Sequence, residues 1–164
     1  MNDKINQNSD EIFIVDEEIV NNFFMDKNFE KAQMFFDYLT VQCKTKKAYM
    51  IPSIFERVIK KIKEKTKDKG DTIQTEIISY LENWVEEADL LGEDQGDEKH
   101  DTLLLYRILR VLNSDKKIVI LSSKYQNESV DSLSVEDIES YLLSKEKFRE
   151  YLKSHYGLDD GASY

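Results

Sequence analysis

The chain has 164 residues, 40% of them hydrophobic and 34% charged, and a formal net charge of −10 at pH 7. That length predicts one domain with a real core and excludes two substantial ones. The acidity argues against binding nucleic acid or anionic membrane through the whole surface, and it is compatible with a local basic patch. No run of 18 apolar residues is present and the start, MNDKINQNSD, is polar. Neither export nor a membrane span is therefore expected, and a cytoplasmic location is. Cys43 stands alone and cannot close an internal disulfide. With only His100 and His155 beside it, a Cys/His zinc site lacks ligands, so any metal is expected to be held by oxygen.

Taken in chain order, residues 1–10 read as a polar tail. Glu11 to Val15 reads as a strand, because Ile12, Phe13, Ile14 and Val15 form a short continuous apolar run suited to burial on both faces. The run ends at Asp16. Apolar residues then recur at helical spacing from Glu17 to Phe24 and from Asn28 to about Cys43, predicting two helices. A short strand follows at Ala48 to Ile51, then a turn through Pro52. Ser53 is the expected N-cap of a helix that carries Ile54, Phe55, Val58, Ile59 and Ile62, with Glu56 in its first turn.

Asp71 to Ala88 predicts another amphipathic helix, followed by the acidic loop DLLGEDQGDEKH. DTLLLYRILRVL is apolar nearly all round and predicts a central buried helix beginning at Asp101. KKIVILSSK follows as a second strongly apolar strand. Two further helices are expected from Ser134 onward, and the end, GLDDGASY, is expected to fray. The boundaries expected are a single domain over 11–156 and a tail over 157–164. Strands alternating with helices predict an α/β domain with a mainly parallel sheet.

In such a sheet the ligand site lies beyond the carboxyl ends of the strands, where the strand order reverses. Asp16 and the Ser122-Ser123-Lys124 stretch are expected there. Glu56 and Asp101, each near the start of a helix, are expected at the same edge. Three converging carboxylates repel one another, and a hard cation such as Mg²⁺ or Mn²⁺ is the natural reason to tolerate that. Taken singly, each acid also reads as an ordinary helix cap or strand-end group.

The order IFIVDEEIV, IPSIFERVI, HDTLLLYRILRVL, KIVILSS resembles that of the PIN-domain nucleases over about residues 11 to 124. The resemblance implies a three-layer αβα domain with a central, mainly parallel sheet. It implies metal-dependent hydrolysis of RNA phosphodiester bonds, with Asp16, Glu56 and Asp101 holding Mg²⁺ or Mn²⁺ and Ser122 orienting a carboxylate or a water. Where the family commonly has a fourth acid, this chain has Lys124. Asp97, Glu98 or Glu128 is the alternative supplier of that charge, or Lys124 itself forms an ion pair with the cluster.

RVIKKIKEKTKDK, residues 57 to 69, holds seven Lys or Arg against two acids, and Arg57, Lys60, Lys61 and Lys63 are the expected contacts to an RNA backbone. The same lysines also read as an ordinary solvated helix face. Residues 82 to 98 carry eight acids and no Lys or Arg, a surface for a protein inhibitor such as an antitoxin. Two other classes stay open: a catalytically silent PIN-like module that binds RNA or a partner, and a receiver-like signalling domain. A homodimer also stays open.

Overall fold

The computed structural model describes residues 11–19 and 48–134, with positions 137, 149, 150, 153, 154 and 157. Strand β1 is Glu11–Val15, and Glu17–Ile19 directly after it are helical. Strand β2 (Ala48–Met50) leads into helix α1 (Pro52–Lys65) and helix α2 (Asp71–Trp84). Strand β3 (Val85–Glu87), helix α3 (Glu98–Leu112), strand β4 (Lys117–Leu121) and strand β5 (Ser132–Leu133) complete the order. The helix expected over Asn28 to Cys43, most of that over Glu17 to Phe24 and most of those after Ser134 lie outside the described residues.

The five strands form one sheet in the order β3-β2-β1-β4-β5, and every pairing is parallel. The α/β class with a parallel sheet is therefore observed. β1 and β4 run side by side over their whole length, from Glu11↔Lys117 to Val15↔Leu121. Ile12 to Val15 and Ile118 to Leu121 are all buried, which is why both runs are continuously apolar. Ile54, Val58 and Ile62 of α1 and Leu105 and Leu109 of α3 add to the same core. The chain winds outward from β1 to β2 to β3, returns to place β4 beside β1, and continues to β5. The order thus reverses between β1 and β4, and their carboxyl ends flank the crevice that this creates.

Several local expectations are corrected. Helix α1 is preceded by Ile51 at the cap position and opens with Pro52, with no side-chain cap bond, so Ser53 is not its cap. Proline lacks an N–H and has a helix-like φ, and so it serves as the first helical residue. The expected helix Asp71 to Ala88 stops at Trp84. Val85 turns extended, and β3 pairs with β2 from Ala48↔Val85 to Met50↔Glu87; Ala88 N then donates to Met50 O at 2.8 Å. A strand ladder outcompetes the helical pattern there. Helix α3 starts at Glu98, not Asp101, because Asp97 caps it, accepting from Lys99 N and His100 N at 3.0 and 3.3 Å. It is buried on one side only: Val111 and Leu112 near its end are exposed.

Gly70, at φ 94°, joins the 3-10 turn Lys67–Lys69 to α2 in a conformation that L side chains rarely adopt. No helix among the described residues is long and apolar enough to cross a membrane.

Candidate functional site at the carboxyl edge of the sheet

Asp16 is the residue after β1 and Ser122 the residue after β4, so the β1–β4 register carries both to the reversal point. Asp16 is only 2% exposed. A buried carboxylate is costly unless its oxygens are bonded. Here Oδ1 accepts from Glu17 N at 2.8 Å, and Oδ2 accepts from the Ser122 hydroxyl at 2.8 Å. The Ser122 oxygen in turn accepts from Lys124 N at 3.2 Å. The Lys124 ammonium lies 3.7 Å from Asp16 Oδ2 while its side chain is 59% exposed, so it meets the buried charge from the solvent side. One residue further out, Ser123 donates through N and Oγ to Glu18 at 3.1 and 2.5 Å. The two strand ends are thereby tied together twice.

Asp101 is buried in the first turn of α3, 3% exposed. Its Oδ1 accepts from Gln95 N at 2.9 Å and faces His100 Nδ1 at 3.1 Å. Burial pushes its pKa up, but the amides of Gln95 and Gly96 and the His100 ring outweigh this, and the net shift is downward. A carboxylate whose folded pKa is depressed stabilises the fold above its unfolded pKa of about 3.9, and that contribution is lost as pH falls through the folded value. Urea unfolding of the parent and of Asp101→Asn is therefore expected to show a stability gap that is constant near neutrality and narrows below about pH 4. A gap independent of pH down to the acid transition would show that the carboxylate is not preferentially ionised in the fold.

Tyr125, buried after β4, has its hydroxyl pushed up to about 12, chiefly by burial. A bond with the Thr102 side chain opposes the rise, and the charges of Asp16, Glu98 and Asp97 add to it. Three acids from two different elements thus act on one buried phenol, which gathers the start of α3 and the end of β1 around the same crevice.

Glu56 is exposed on α1. At about 100° per residue it lies roughly 160° from the face formed by Ile54, Val58 and Ile62, whereas Arg57 and Lys61 share one flank of that face. Arg57 donates to Glu17 Oε1 through Nε and Nη2 at 3.0 and 2.8 Å, and to Glu98 Oε2 through Nη1. Lys61 Nζ lies 2.9 Å from Glu17 Oε2. Burial raises the Glu17 pKa, but Lys61 and Arg57 more than offset it and the net shift is downward. Arg57 itself is shifted upward, first by its bond to Glu98 and then by that to Glu17.

Of the expected site residues, the structure bonds Asp16 to Ser122 with Lys124 beside them, and buries Asp101. Glu56 is not joined to them. Asp97 is spent as the α3 cap, Glu98 is held by Arg57, and Glu128 pairs with Lys99 at 2.8 Å. Among the described residues, no group of three or more His, Cys, Asp or Glu is placed to hold a metal ion. Of the expected RNA contacts, Lys60 and Lys63 are exposed, whereas Arg57 and Lys61 are engaged with acids at the crevice. Glu17, Tyr125 and His100 join the crevice without a motif of their own in the sequence. The helical flank shared by Arg57 and Lys61 was the one signal pointing to an acidic partner such as Glu17.

Comparison with protein-family models, with curated proteins and with solved structures gives no match to this chain.

Proposed function

We propose that this chain is a PIN-like domain, with the family's three-layer αβα build, that hydrolyses RNA phosphodiester bonds with Mg²⁺ or Mn²⁺ in the cytoplasm. The observation that carries this reading is Asp16, a buried carboxylate at the end of a central strand, held by Ser122 across the point where the strand order reverses. The oxygen donors there suit a hard cation, and Asp16 and Asp101 are the residues that would hold it. When bound, such an ion supplies Lewis-acid stabilisation of the charge that develops on a phosphodiester under attack.

The chain's own groups prepare the site. Ser122 fixes the orientation of the Asp16 carboxylate. The backbone amides around Asp101 keep its carboxylate ionised. Lys124 and Arg57 lower the net negative charge of the crevice, easing the approach of an RNA phosphate. The acidic segment 82–98 suits a basic protein inhibitor, as a toxin-type nuclease requires. Digestion of structured and unstructured RNAs with Mn²⁺, with and without chelator, tests the reading. Cleavage that stops with chelator is expected, and no cleavage of any RNA at any metal concentration would remove it.

A second reading, a catalytically silent PIN-like module, is favoured by one specific observation: Lys124 stands beside Asp16 where the family has an acid. Its ammonium supplies charge that an ion would otherwise bring. Replacing Lys124 with Asp is expected to strengthen Mn²⁺ binding by well over tenfold, because a pair of unit charges at short range in water is worth about 1 kcal/mol, the ion carries two charges, and the sign of its neighbour is reversed. Replacing it with Ala is expected to change affinity less. Calorimetric titration decides between the readings: a gain of affinity with a gain of cleavage supports the nuclease, and a gain of affinity without cleavage supports the silent module. Unchanged affinity in Lys124→Asp would mean that the site lies elsewhere.

A further inference from the structure

Away from the crevice, a cavity of about 320 Å³ lies between α3 and the loop leading to β5. Its volume is at the low end for small-ligand pockets. Leu103 and Val130 supply apolar wall, and Tyr106, Arg107, Arg110 and Glu128 supply the rest of the chemistry. Arg107 and Arg110, three residues apart, lie on neighbouring positions of one helix face. The Arg110 guanidinium sits over the Tyr106 ring, 5.7 Å from its centroid. Tyr106 OH accepts from Asp131 N at 3.3 Å, which ties the loop to the helix. The one acid in the wall, Glu128, is paired with Lys99 at 2.8 Å, so the cavity stays positive in a chain of net charge −10.

We propose that this cavity binds one nucleotide, with its phosphate on Arg107 and its base against the Arg110 guanidinium and the apolar wall. Guanidinium groups match phosphate oxygens in pairs, and a planar guanidinium held over an aromatic ring is a platform on which a base stacks. A lysine patch would attract the phosphate without offering that platform. Arg107 and Arg110 lie six and nine residues beyond Asp101 on α3, about 9 and 14 Å along the helix axis at 1.5 Å per residue. The site is therefore separate from the crevice, and it stands whether or not the crevice cleaves RNA. The nucleotide is either free or one unit of an RNA chain.

Calorimetric titration of the full chain in the presence of chelator tests this, with adenosine 5′-monophosphate, inorganic phosphate and a five-residue oligoadenylate as ligands. The parent is expected to bind the monophosphate at least tenfold more tightly than inorganic phosphate. Arg107→Gln is expected to weaken it by about tenfold, the scale of one charged hydrogen-bonded contact. Glu76→Gln, at an exposed position of α2, is expected to bind as the parent does. Oligoadenylate that binds more tightly than the monophosphate, and loses that affinity in Arg107→Gln, identifies an RNA chain as the source. Oligoadenylate that fails to compete identifies the free nucleotide. Circular dichroism checks that Arg107→Gln is folded, and Arg110→Lys, which keeps the charge and removes the plane, provides a second variant. Binding of neither nucleotide ligand, affinity unchanged in both variants, or inorganic phosphate binding as tightly as the monophosphate would overturn the proposal.

Discussion

Asp16→Asn is expected to lower Mn²⁺-dependent RNA cleavage by about 100-fold or more, the scale on which loss of a single group that organises transition-state charge acts. Its melting temperature is expected to change little. Asparagine has nearly the volume of aspartate, and its side-chain oxygen still accepts from Glu17 N or from the Ser122 hydroxyl. The hydroxyl oxygen, through its second lone pair, can accept from the new amide, and its own proton then loses the carboxylate acceptor. What is removed is a negative charge at a point where Asp97 and Glu98 also act on Tyr125, and the Lys124 ammonium 3.7 Å away loses its partner, so the two changes oppose each other. Mn²⁺ affinity measured alongside activity separates the causes: loss of both assigns Asp16 to ion binding, and a variant that cuts RNA as well as the parent would mean that the crevice is not the catalytic site.

The largest expected effect on stability belongs to the sheet. Ile120→Ala is expected to lower the unfolding free energy by about 2–5 kcal/mol, the range for removing most of a fully buried aliphatic side chain. Ile120 is 0% exposed on β4, opposite Ile14 of β1 on one side and Ser132 of β5 on the other. The paired strands on either side hold their own side chains in place, so a cavity there cannot collapse readily. Against a typical total of about 5–15 kcal/mol, such a loss leaves the chain marginal. Val111→Ala, at a position 80% exposed on α3, is the control and is expected to shift stability by less than about 0.5 kcal/mol. Urea midpoints for the two variants check this, and equal midpoints would contradict the assignment of β4 to the centre of the core.

Glu56 and Arg57 show how a helix separates neighbouring residues. The resemblance aligned the acid of IPSIFERVI with a family carboxylate, yet in the helix the neighbouring Arg57 is the residue that reaches Glu17 and Glu98. One step along a helix rotates a side chain by about 100°, so a slip of one residue decides whether an acid or a cation meets the crevice. Helical periodicity locates the buried face, but it does not say which element covers the flank beside it.

The sequence by itself determined the two central strands and their ends. Ile12 to Val15 and Ile118 to Leu121 are apolar without interruption because both faces of a parallel sheet are covered, and the polar residues that end them, Asp16 and Ser122, mark the carboxyl edge. It determined equally the buried face of α1, where Ile54, Val58 and Ile62 recur every fourth residue. Only the tertiary structure decided that Val85–Glu87 and Ser132–Leu133 are strands, since segments of three and two residues hold that form by pairing with β2 and β4. It alone decided which cation meets which acid. The Asp16–Ser122 bond joins residues 106 apart in sequence and the Arg57–Glu98 bond residues 41 apart. Such contacts follow from strand order and helix rotation, and local composition encodes neither.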